Sequence, residues 1–376
     1  MKTLMIRFLS LTTAAVLALS TTSLFASNND IQVLMVLSSH GQKDAEGKLV
    51  KPGFEFDEMS KSYLVFASAG ATITFASPTG GKLVADNYDP SKAYNERFLA
   101  DKAAVKLLES TQKLSDINPK DYNAVYVVGG KGPMFDLADN QSVKNIIREV
   151  YENGGVVGAV CHGPAALLDV KLSDGSYLVE GKRVSAFTNE EESAFSKTWS
   201  MPFLLEDKLT EQGAVFHQDG LMLNQVSIDG RVITGQNPFS TADTSKAVVN
   251  KLGLKADEAL EFKDDRTIKL VEQFFSDRDT AIKEFTAHRD QYDPMLLGMF
   301  GVYQARHANT AIERDVALIL MQQTQDTINH PMLDTAIAKA YLHNNNIPQA
   351  KAVLTAAKKK FPENQQVLTL LQTLSE

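Results

Sequence analysis

The chain is poor in cysteine, with one residue, Cys161, in 376. A lone thiol excludes an internal disulfide, and no zinc-ligand spacing occurs elsewhere. Positive charge is also in deficit. Lys and Arg total 38 against 46 Asp and Glu, a formal net charge of −8. Nucleic acid and anionic lipid would each need a basic surface, so neither is an expected partner. The one local basic run, "AKKKF", reads as a solvated helix face. Apolar runs long enough to cross a membrane are missing beyond the N-terminus. A dinucleotide fingerprint is missing too, because "VVGGKG" lacks the remaining glycines. Neither a metal nor an organic cofactor is expected.

What is present describes a globular protein of two domains. Apolar residues make up 44 % and charged residues 22 % of a chain too long for one ordinary core. The first 26 residues read as a secretory signal: Lys2 and Arg7, then an apolar stretch, then small residues. A periplasmic or secreted protein is therefore expected, with no membrane attachment after cleavage.

From residue 27 to 253 the pattern is that of a doubly wound α/β domain with a mainly parallel sheet. "IQVLMVLSS", "ATITFAS", "NAVYVVGG", "GVVGAVC" and "RVSAFT" are continuous β-rich runs suited to strands buried on both faces. Helical stretches such as "EFDEMSKSYLVFASA", "NQSVKNIIREVYENG" and "PFLLEDKLTEQG" alternate with them, two closing on Asn153-Gly154 and Gln212-Gly213. "VSIDGRVITG" predicts a hairpin turning on Asp229-Gly230. Residues 256–376 contain only helical periods. Within them Ile337, Ala338, Tyr341, Ala350, Leu354, Ala357 and Pro362 fall at tetratricopeptide-like positions, with Asp334 where an aromatic is usual. A chain ending near residue 253 is expected to keep its fold unless this helical region covers a large apolar face.

"GGVVGAVCHGPAALL" places Cys161 at the end of a buried strand, with His162 next and a helix start behind. A nucleophile on such a sharp turn projects above the sheet, and the next backbone N–H can donate to an oxyanion. The helix N-terminus is expected to lower the thiol pKa below its free value. The bland alternative is a small buried hydrophobe. A free thiol in an exported protein, beside an imidazole, points instead to a nucleophile.

"PGFEFDEMSKSY", "TFASPTGG", "VVGGKGPMFDL", "VGAVCHGPAAL" and "FTNEEE" occur in this order between residues 31 and 253. Together they resemble the superfamily of PfpI proteases and parkinsonism-associated deglycases, in particular its chaperone and glyoxalase III-like members. The resemblance implies a nucleophile elbow at Cys161 with His162 as its imidazole partner. It implies that Glu58 reaches the thiol and that Glu192 orients the histidine. Gly130 would supply an oxyanion N–H alongside that of His162. Glu55 and Asp57 remain rivals of Glu58, and Glu190 and Glu191 rivals of Glu192. Lys131 stands where the subgroup often has histidine, and a cation there would attract anions or favour a thiolate.

The implied activity is cofactor-independent conversion of methylglyoxal to lactate, or deglycation of glycated protein. A cysteine peptidase or amidase would use the same thiol, and a non-enzymatic holdase or redox sensor would use the helical region. The expected partners are a small reactive carbonyl, a protein bound through the C-terminal helices, and a second copy in a homodimer.

Overall fold

The computed structural model describes residues 31–86 and 88–374. The proposed signal segment lies outside them. Seven strands form one sheet in the order Val226–Asp229, Val232–Gly235, Val156–Val160, Ala124–Val127, Gln32–Val36, Thr72–Ser77, Gln112–Lys113. Every neighbouring pair is parallel except Val226–Asp229 with Val232–Gly235, the expected hairpin, where Gly230 takes φ +59°. The central strands are apolar along their length because both faces are covered. One face carries the helices Phe56–Ser68 and Thr241–Lys251, the other the helix Gln141–Glu152. The last of these shows why such elements form. Asn140 caps it by accepting the Val143 N–H, and Val143, Ile146, Ile147 and Val150 line one buried stripe. Gly154, at φ +91°, then turns the chain into the strand at Val156.

Two expectations need correction. "RVSAFT" does not join the main sheet; only Arg183–Val184 is extended, paired with Val215–Phe216 in a separate two-stranded sheet. Its Ser185 N–H donates to the Thr234 side chain at 2.8 Å, and its hydroxyl donates to the His217 carbonyl at 2.7 Å. A side-chain acceptor, Thr234, thus takes the Ser185 N–H that a ladder would have used. "HGPAALL" is also not an α-helix but a single 3-10 stretch, Gly163–Leu167.

After Gly235 the described residues contain no strand. Seven helices run from Lys263–Ser276 to Gln365–Thr373. Pro331–His343 and Ile347–Lys360 fold back on each other around Asn345, at φ +57°, and bury Ala338, Ala350, Leu354 and Ala357 between them. Asp334 is buried and accepts the Gln325 amide at 2.6 Å.

The helical region is joined to the sheet domain by shared core. Leu254, Ala256, Leu260 and Phe262 belong to the same apolar cluster as the sheet. Lys61, on the helix Phe56–Ser68 and 1 % exposed, pairs with Asp264 at 2.7 Å and Asp265 at 2.6 Å. A cut at residue 253 would therefore strip part of the main core and strand a buried cation. The expected autonomy of residues 27–253 was conditional on the helical region covering no large apolar face, and this shared core is the face on which that condition turns.

Candidate active site

The strand Val156–Val160 ends at Cys161, which takes φ +59°, a region that side chains other than glycine rarely occupy. Two backbone bonds hold this strained turn: Cys161 N–H donates to Gly235 C=O at 3.0 Å, and Phe187 N–H donates to Cys161 C=O at 3.0 Å. Gly163 permits the tight exit, since a Cβ there would stand 2.4 Å from the Val127 carbonyl oxygen. The result is a strand-to-turn elbow with the thiol at its tip.

His162 follows, 1 % exposed. Its Nδ1 lies 3.5 Å from the Cys161 Sγ and its Nε2 lies 2.8 Å from Glu192 Oε2. The Phe187 ring packs on the imidazole at 4.4 Å between centroids. Glu192 sits on the helix Asn189–Phe195, whose first turn is closed by a capping box between Thr188 and Glu191. Burial raises the Glu192 carboxyl, but the His162 hydrogen bond and charge outweigh it and hold the group below its ordinary value. Of the two rivals, Glu190 is exposed and Glu191 is committed elsewhere. Glu191 accepts from Gln236 and Asn237 side chains and the Met222 N–H, each at 2.9 Å.

Glu58 enters from the first turn of the helix Phe56–Ser68 and is fully buried. Its Oε2 accepts the Gly129 N–H at 2.8 Å. A Cβ on Gly129 would lie 2.6 Å from that oxygen and 2.7 Å from the Cys161 Cβ, so only glycine lets carboxyl and thiol meet. Asp57 instead faces Lys92, Tyr94 and Asn95. Burial pushes Glu58 well above the usual carboxylate range, and nearby Glu55 adds to this. Burial likewise pushes the Cys161 thiol up, with Glu58 adding and Lys131 opposing. Burial thus works against the expected depression of the thiol. A single turn of 3-10 helix supplies little dipole, and the thiol is only 4 % exposed. Both shifts favour the protonated forms of cysteine and glutamate beside the imidazole.

Gly130 takes φ +86°, and a Cβ there would be 2.4 Å from the Glu55 nitrogen. Among the described residues neither the Gly130 nor the His162 N–H has a backbone acceptor, so both amides are available to an oxyanion. Lys131 donates its N–H to Asp86 Oδ2 at 3.0 Å and carries its ammonium 3.9 Å from the same oxygen. No group of three or more His, Cys, Asp and Glu side chains among the described residues is placed to hold a metal ion.

Sequence reasoning passed over Gly129, Phe187 and Asp86. The glycine doublet at 129–130 was a usable signal, because two adjacent glycines after a buried strand mark close approach. Phe187 and Asp86 had none. The helical region also touches the site's supports: the Tyr303 ring meets Phe195, at the end of the Glu192 helix, edge-on at 5.1 Å, and Gln304 donates to the Leu221 carbonyl at 3.2 Å.

The model of the DJ-1/PfpI family matches residues 49–251. A glutathione-independent glyoxalase of Schizosaccharomyces pombe is 33 % identical over 238 residues, covering 58 % of this chain and 96 % of that protein. Glyoxalase 3 of Candida albicans is 30 % identical over 234 residues, with 58 % and 97 % covered. Among solved structures, the Rapid Encystment Protein 24 KDa of Francisella tularensis aligns with a TM-score of 0.55 and 33 % identity, over 59 % of this chain and 99 % of that one. Glyoxalase III from Candida albicans aligns with a TM-score of 0.52 and 27 % identity, over 59 % and 98 %.

Proposed function

The chain belongs to the DJ-1/PfpI family, and from that premise we propose that it is a cofactor-independent cysteine enzyme of the glyoxalase III type, converting methylglyoxal to lactate. The observation that carries this reading is the strained Cys161, set between the His162 imidazole at 3.5 Å and the buried Glu58 carboxyl.

The chemistry follows from the groups present. As Sγ attacks the aldehyde carbon, His162 Nδ1 takes the thiol proton and Glu192 stabilises the imidazolium. The Gly130 and His162 amides hold the alkoxide, which the imidazolium then protonates to give a hemithioacetal. The imidazole next removes the hydrogen on C1 while the neutral Glu58 donates its proton to the C2 oxygen, giving an enediol. Glu58 recovers a proton from the C1 hydroxyl as the imidazolium protonates C2. The product is a lactoyl thioester. Water, deprotonated by His162, hydrolyses it; lactate leaves and the thiol is restored. One methylglyoxal and one water give one lactic acid. A carboxyl raised by burial suits this work, because burial favours the neutral acid that must give a proton and then recover one.

Purified protein supplied with methylglyoxal and followed by proton NMR should produce lactate without glutathione, and alkylation of the thiol should stop it. Absence of lactate from the unmodified protein would overturn the assignment. Export to a periplasm is part of the same proposal, supported by the charged and apolar N-terminal pattern. Protein recovered from whole cells should then begin near residue 27.

A further inference from the structure

A cleft of about 370 Å³ opens within the helical region, far along the chain from the thiol. Arg306, Arg314, Lys339 and His343 line it, contributed by the helices Pro294–His307, Ala311–Thr324 and Pro331–His343. Among the described residues none of these four forms an ion pair within 4.0 Å. Among the described residues no acidic side chain lines the cleft. In a chain of net charge −8, three arginine and lysine heads and an imidazole thus converge on one hollow and stay unneutralised. The floor differs from the rim. Val302, Ala336 and Met332 form it, with Val302 fully buried and the other two half-buried.

We infer that this cleft is a docking site for an acidic peptide segment of another protein. Charge complementarity selects the carboxylates: opposite charge at the rim steers encounter and fixes register, and guanidinium groups donate to carboxylates in bidentate geometry. The apolar floor selects a peptide over a free anion, since Met332 and Ala336 gain only from an occupant with apolar side chains between its acids. A membrane is the poorer fit, because a concave hollow on an acidic protein does not meet a flat anionic surface. The chain's own N-terminal 30 residues do not match either: they carry Lys2 and Arg7 and a single acid, Asp30.

The test uses the full chain on an array of random-order dodecapeptides built from Glu, Leu, Ala and Ser, each beside a twin with Gln replacing Glu. Acidic members should retain the wild-type protein over their twins, and raising salt should weaken retention. The double variant R306E/R314E should bind the retained peptides about tenfold more weakly or worse, with its circular dichroism melt and lactate production unchanged. Equal retention of acidic and Gln twins would overturn the proposal, as would undiminished binding by R306E/R314E. Capture by phosphatidylglycerol vesicles without peptide retention would assign the cleft to a membrane. Self-association abolished by R306E/R314E, with no peptide retained, would assign it to a second copy. Either result refutes the peptide reading.

Discussion

Replacing Lys61 with Met tests how the helical region is held. Lys61 Nζ lies 2.7 Å from Asp264 and 2.6 Å from Asp265, over the Tyr94 ring at 4.8 Å and the Phe262 ring at 5.5 Å. At an effective dielectric near 20 each ion pair is worth about 6 kcal/mol of attraction. Desolvation of three ions offsets most of that, so the intact cluster contributes little net stability. Removing only the cation is different, because two buried carboxylates then face each other, and the expected loss is about 3–5 kcal/mol. Its pH dependence has a definite sign. In wild type, burial raises Asp264 but Lys61 overrides it and holds the group low, whereas burial keeps Asp265 raised despite Lys61. Without Lys61 both are raised in the folded state above their unfolded values. Stability is then retained at low pH and lost as pH rises, so K61M should be most destabilised at pH 8 and less so at pH 5. Urea unfolding followed by circular dichroism at both pH values measures this. The triple variant K61M/D264N/D265N should recover most of the loss. If K61M unfolds at the wild-type urea concentration at pH 8, or the triple variant is no better than K61M, the ionic link does not hold the two regions together.

Four further outcomes follow from the site. Cys161→Ser should lower lactate production by about a thousandfold or more while leaving the unfolding midpoint nearly unchanged; wild-type turnover by this variant would end the thiol mechanism. Glu58→Gln should lose activity yet gain stability at pH 8. The folded carboxyl of Glu58 is raised, so its contribution is present below the unfolded value and lost as pH rises, and the amide escapes that loss; a variant no more stable than wild type at pH 8 would contradict the burial argument. Glu192→Gln should cut kcat with little change in KM, whereas Glu191→Gln should chiefly lower the melting temperature, since Glu191 ties together Gln236, Asn237 and Met222; equal kinetic profiles would undo the distinction. Gly130→Ala should be impaired in both respects, because its Cβ meets the Glu55 nitrogen at 2.4 Å; near-normal turnover would remove Gly130 from the oxyanion site.

Much of the sheet domain was legible in the residues themselves. Runs such as "NAVYVVGG" and "GVVGAVC" are apolar without alternation, which only a strand covered on both faces tolerates, and they form Ala124–Val127 and Val156–Val160. The strand, the lone thiol and the small residues after it marked the elbow, because a strained turn admits little bulk. Cys161 and His162 are neighbours in sequence, so their pairing needed no fold to reveal it. Other features depend on contacts that local pattern does not encode. "RVSAFT" has strand composition, yet Thr234 and His217, distant in sequence, claim its hydrogen bonds. Three consecutive glutamates were equivalent until helix phase turned Glu192 to His162, Glu191 into the core and Glu190 to solvent. How deeply Cys161 sits, and the approach of Glu58 from another element, both push the thiol up, and neither is written in the local pattern. Nothing in the local pattern marks Lys61 as an ion-pair centre, because its partners lie 203 and 204 residues away. Periodicity records which face of an element is buried; what buries it is set by packing across the chain, and there only the tertiary structure could speak.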